Sequence, residues 1–153
     1  MVGISVAPFQ ILLVDDEPGD IRLTKLALAE GRFLCNVTSA NNGLEAMAVM
    51  RKEGEYGGSP TPDLVLLDLN MPQMNGREVL QAMKADPVLA RIPVVVLTTS
   101  DIERDIVSSY DLGAHGFVTK PVDMEQLFRA IHGIQEYWFS VVRRPTSETS
   151  ARA

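Results

Sequence analysis

Five short apolar runs, at 11–14, 33–38, 64–67, 92–98 and 116–119, are each followed by a longer stretch whose apolar residues recur at helical spacing. Strands that alternate with helices in this way pair in parallel through right-handed crossovers and need helices on both faces of the sheet. The expected fold is therefore α/β: a flavodoxin-like, doubly wound sheet of five parallel strands, order 2-1-3-4-5, in a (βα)5 arrangement. In that order strands 1, 3 and 4 lie side by side, and ligands bind beyond their carboxyl ends.

Local signals place the helices. Pro18 suits a first-turn position and Gly31 an exit, which predicts a helix over about 18–30. Asn42 caps the next helix, to about 53, with Glu45 placed for a reciprocal capping bond. The Gly- and Pro-rich stretch 54–62 reads as a loop. A third helix over about 76–85 presents Val79, Leu80 and Met83 on one face and stops at Asp86-Pro87. Ser100 with Glu103 opens a fourth, closed by Gly113, and Asp123 caps a fifth carrying Leu127, Ala130, Ile131, Ile134 and Trp138 at helical spacing. Pro93 is acceptable only at the start of its strand, where no ladder donor is needed.

The length of 153 residues fits one core-bearing domain, expected over 10–139, with an extension at 1–9 and a flexible tail at 140–153. A formal charge of −6 with scattered basic residues argues against nonspecific binding to nucleic acid or anionic membrane. No stretch approaches the roughly 18 apolar residues of a membrane span, and no signal sequence is evident, so a cytoplasmic location is expected. The single cysteine, Cys35, cannot pair internally and reads as a small buried hydrophobe in a reducing compartment.

Two strands end in acids. The run 10–14 leads into Asp15-Asp16-Glu17-Pro18, and the run 64–67 ends in Asp68, followed by Leu69-Asn70-Met71-Pro72. On one sheet edge these carboxylates repel unless a cation sits among them. A magnesium ion takes oxygen ligands, so Asp16 and Asp68 are candidate carboxylate ligands, Asp15 would hold the metal or its water, and Asn70 could present a backbone carbonyl. An attacking aspartate is a weak nucleophile, so catalysis of its phosphorylation must come from alignment and charge cancellation. Thr98 and Lys120 each follow a strand and would complete the set, the hydroxyl donating to one phosphoryl oxygen and the ammonium pairing with another.

This order of Asp15-Asp16, Asp68 with Asn70-Met71-Pro72 and Gly76, Thr98 followed by small polar residues, and Lys120-Pro121 resembles the receiver domain of bacterial two-component response regulators, the family of the chemotaxis regulator. The likeness spans about 10–138. It implies that Asp68 accepts a phosphoryl group from a sensor histidine kinase, that Asp15 and Asp16 help bind Mg2+, and that a cis peptide precedes Pro121. It also implies a switch in which Thr98 moves toward the phosphoryl group and an aromatic residue of the fifth strand, here Phe117 where many members have tyrosine, fills the vacated space. The loop at 54–62 and the long final helix look most like the small response regulators of phytochrome-type kinases. A bacteriophytochrome kinase and a homodimer are thus the implied partners, and phosphorelay signalling the implied role.

Bland readings stand beside these. Asp15, Asp16 and Glu17 could be acids favoured by a helix dipole, and Thr98 a plain strand residue. Tyr137-Trp138-Phe139 could cap the domain's own core or form a dimer contact. His115 and His132 have no partner at suggestive spacing, and the seven methionines read as packing. Among other functions, an aspartyl-phosphate phosphohydrolase would want a second acid at position 70, where Asn stands, so slow self-dephosphorylation at most is expected. A flavin carrier would find its phosphate repelled by Asp15-Asp16-Glu17.

Overall fold

The computed structural model describes residues 8–69, 71, 73–98, 113–119 and 123–141. The strands are β1 (Phe9–Val14), β2 (Cys35–Ala40), β3 (Leu64–Asp68), β4 (Val94–Thr98) and β5 (Gly116–Thr119), and the helices α1 (Pro18–Glu30), α2 (Gly43–Arg51), α3 (Gly76–Ala85) and α4 (Met124–Glu136). The five strands form one sheet in the order β2-β1-β3-β4-β5, and every pairing is parallel. The helix expected over 100–112 lies outside the described residues, and α4 is the helix expected to follow Asp123.

Both faces of the sheet are covered, which is why the central strands read as unbroken apolar runs. Alternate residues go to opposite sides. Leu12, Val14, Val65, Leu67, Val94 and Val96 pack with Ala46, Met47, Val79, Leu80 and Met83 of α2 and α3. Ile11, Leu13, Leu64, Leu66, Val95 and Leu97 pack with Ala27, Leu28, Ile131 and Ile134 of α1 and α4. All five residues of β3, Asp68 included, are buried.

Several boundaries move from their expected places, each for a local reason. β2 begins at Cys35 rather than 33 because Phe33 turns into an aromatic group, edge-on to both Phe9 and Phe139, while those two rings stack 3.8 Å apart. α2 stops at Arg51, two residues early, where Lys52 enters the left-handed region at φ 57° and its N–H bonds the carbonyls of Ala48 and Val49. β4 begins at Val94 because Ile92 still donates to Leu89 at the end of a short 3-10 turn. The loop 54–62 contains a 3-10 turn over Gly54–Tyr56.

The expected capping bond at α2 is displaced by one residue: Asn42 accepts the Glu45 N–H, but the Glu45 carboxylate reaches the Asn41 N–H instead. Its other oxygen accepts the Tyr56 hydroxyl, which raises the phenol pKa and ties the following loop to the helix. The full reciprocal box occurs at α3, between Asn75 and Glu78.

Below the sheet, Arg32 clamps the segment that leaves α4. Its guanidinium donates to both Glu136 oxygens at 2.6 and 3.0 Å and to Ser140 Oγ at 2.9 Å, and it lies over the Phe33 ring. Those hydrogen bonds hold the Glu136 carboxyl below its ordinary pKa. After Glu136 the backbone widens into a π turn over Tyr137–Val141. Trp138 and Phe139 pack on the core cluster, so they cap the domain, while Tyr137 stays half exposed. Cys35 is half-buried rather than fully enclosed: its thiol contacts the Phe33 carbonyl and accepts from the Gln135 amide. Gln135, fully buried, also donates to the Leu28 carbonyl. Gly31 makes room for it, since a Cβ there would lie 2.0 Å from Gln135 Oε1.

His115 has a structural task. Its Nδ1 accepts the Val94 N–H at 3.1 Å, and the His115 backbone N–H donates to the Val94 carbonyl at 2.8 Å, which starts the β4–β5 pairing. That bond requires the neutral ring with its proton on Nε2. Burial lowers the imidazole pKa below its ordinary value of 6.5. A lowered histidine contributes stability that is present above 6.5 and is lost as pH falls through the native value. Urea unfolding should show wild type losing stability between about pH 7 and 5 more steeply than His115→Asn, which keeps a non-titrating acceptor. Parallel slopes would contradict this.

Candidate functional site

Strand pairing sets the site. Val14 lies opposite Leu67, so the residues leaving β1, Asp15 and Asp16, emerge beside Asp68 at the end of β3. Asp68 in turn pairs with Leu97, one residue before Thr98. Carboxylate oxygens of Asp15, Asp16 and Asp68 all lie within 4.8 Å of one another. Asp15 is fully buried and Asp68 nearly so, with 9 % exposed, while Asp16 opens to solvent.

The helix-start explanation of these acids holds for one residue only. Glu17 is the N-cap of α1, its carboxylate accepting the Gly19 N–H at 3.1 Å. Asp15 faces the cluster and accepts the Glu17 N–H at 2.9 Å, which orients its carboxylate. Two unit charges 4.8 Å apart repel by about 3 kcal/mol at an effective dielectric constant of 20. Three hard oxygen donors so arranged, two of them shielded from water, fit a small divalent cation.

The other expected residues divide. Thr98 ends β4, its backbone paired with Thr119 of β5, which brings the β5 end to the same edge. The Thr98 side chain, Asn70, Lys120 and the peptide before Pro121 lie outside the described residues. Phe117 pairs with Val96 in β5 and is partly buried against the α2 and α3 face of the core. The bond between Asn42 and Gln73, 31 residues apart, had no signal in the sequence.

The profile of the response regulator receiver domain matches residues 11–132. The chain belongs to this receiver family. It is 43 % identical over 140 residues to the response regulator Rcp1 of Synechocystis, covering 92 % of this chain and 95 % of that protein. PilH of Pseudomonas aeruginosa is 36 % identical over 126 residues, 82 % of this chain and 96 % of PilH. Among solved structures, the phosphorylated cyanobacterial phytochrome response regulator RcpA superimposes with a TM-score of 0.84 at 49 % identity, over 91 % of this chain and 99 % of RcpA. The Mn2+-bound form of Rcp1 gives 0.82 at 43 % identity, over 90 % and 99 %. The bacteriophytochrome response regulator AtBRR gives 0.73 at 42 % identity, over 87 % and 96 %.

The chain is thus a receiver-domain signalling protein of two-component systems, related to phytochrome response regulators, with the flavodoxin-like order expected from its pattern. Its acid cluster suits a divalent ion. Among the described residues no helix is long and apolar enough to cross a membrane.

Proposed function

We propose that Asp68 is the phosphoacceptor of a Mg2+-dependent switch. The observation that carries this is the convergence of Asp15, Asp16 and Asp68, with Asp68 at the carboxyl end of the central strand β3. Asp15, Asp16, Asp68 and the Asn70 carbonyl would hold Mg2+, which supplies charge neutralisation for the transferring group. One Asp68 oxygen attacks phosphorus as the bond from phosphorus to the donor's imidazole nitrogen breaks, leaving an acyl phosphate on Asp68 and a free histidine on the kinase. Buried β3 fixes the direction of attack. Thr98 and Lys120 serve the phosphoryl oxygens, and Thr98 with Phe117 carries the change outward to partners. Hydrolysis by the protein itself is slow at most, since position 70 offers no general acid.

The phosphoryl donor in this reading is a cytoplasmic sensor histidine kinase of the bacteriophytochrome type, supported by the identity to RcpA and AtBRR. The receiver unit spans 10–139. Intact mass after incubation with acetyl phosphate tests the core of the proposal: one phosphoryl group should add with Mg2+ and none with chelator. No addition under either condition would end it. A homodimer is the remaining part, and light scattering of both forms should show it in at least one; a monomer throughout removes it.

A further inference from the structure

The backbone entering α3 follows an expensive path. Gln73 and Met74 lie at φ 50° and 76°, successive non-glycine residues in the left-handed region, where a side chain crowds its own backbone. Such a path persists only where the surroundings over-determine it. Here they do so from the start of α2. The Gly43 N–H donates to the Met74 carbonyl at 3.0 Å, and the Asn42 side-chain amide donates to Gln73 Oε1 at 3.1 Å. The approach is so close that a Cβ on Gly43 would lie 2.2 Å from the Met74 carbonyl oxygen, a backbone atom that cannot swing aside. At the other end, the Gly76 N–H donates to the Leu69 carbonyl at 3.0 Å, closing the loop on the residue next to Asp68. The loop leaving the acceptor strand is therefore pinned by a helix that contributes no carboxylate to the cluster.

We propose that Asn42 and Gly43 are positioning residues for the phosphoacceptor site. They hold the strained turn at Gln73 and Met74, the turn holds the backbone that follows Asp68, and this sets how tightly the site binds a divalent cation. The proposal rests on Asp68 being the acceptor beside such an ion.

Two variants test it. Asn42→Ser keeps a side-chain oxygen to accept the Glu45 N–H, so α2 stays capped, but it is too short to reach Gln73. Gly43→Ala drives a methyl group against the Met74 carbonyl. Both should speed amide hydrogen exchange across 73–76 and weaken Mn2+ binding, read by EPR titration, by about tenfold. Asn42→Ser should do so with a metal-free unfolding midpoint like that of wild type. If Gly43→Ala fails to fold, Asn42→Ser carries the test by itself. Unchanged exchange, or faster exchange with Mn2+ affinity within about twofold of wild type, overturns the positioning role. Failure of wild type itself to bind Mn2+ would overturn the functional reading and this proposal together, so the two failures are distinguishable.

Discussion

Asp68→Asn should gain no phosphoryl group from acetyl phosphate in Mg2+, while wild type gains one, as read by intact mass. The effect is a complete loss because no neighbour can substitute. Asp15 is enclosed and committed to the Glu17 N–H, and Asp16 sits at the open side of the cluster rather than at the end of β3. The metal-free unfolding midpoint of Asp68→Asn, measured beside that of wild type, separates loss of the acceptor from loss of the fold. Phosphorylation of the Asn variant to the wild-type extent would reject Asp68 as the acceptor.

The second large effect belongs to Asp15. Asp15→Asn retains an oxygen that can accept the Glu17 N–H at 2.9 Å, so the turn into α1 should hold. What disappears is a buried negative charge in the acid cluster. Mg2+ affinity should fall by about a hundredfold, the upper end of what even indirect metal partners contribute. A ligand that binds only the folded state raises stability by RT ln(1 + [L]/Kd). Saturating Mg2+ should accordingly raise the unfolding midpoint of wild type and leave that of Asp15→Asn nearly unmoved. An equal rise in both would show that Asp15 is no part of the site.

The described helices and strands were legible because their signals are local. Asn42, Asp86 and Asp123 mark ends through bonds to residues a few positions away, Pro18 marks a start because it has no N–H to leave unpaired there, and α3 and β5 fall where the spacing places them. Where a distant residue competes, the local signal misleads. Phe33 reads as a strand residue, yet it joins Phe9 and Phe139 in the aromatic group, and β2 runs two residues later, over Cys35–Ala40. Glu45 sits at the spacing of a reciprocal cap, yet it bonds Asn41 and Tyr56.

Sequence alone determined that several strands would each deliver a chosen polar residue to a sheet edge, since an apolar run of strand length that breaks at a polar residue marks the carboxyl end of a buried parallel strand. Only tertiary structure decided which acids meet. Strand order set Asp15 beside Asp68, and burial on both faces closed water away from them. The contacts of Gln73 with Asn42 and of Gln135 with Leu28 join residues 31 and 107 positions apart. No periodicity along a chain encodes such pairs, because packing, not spacing, brings them together.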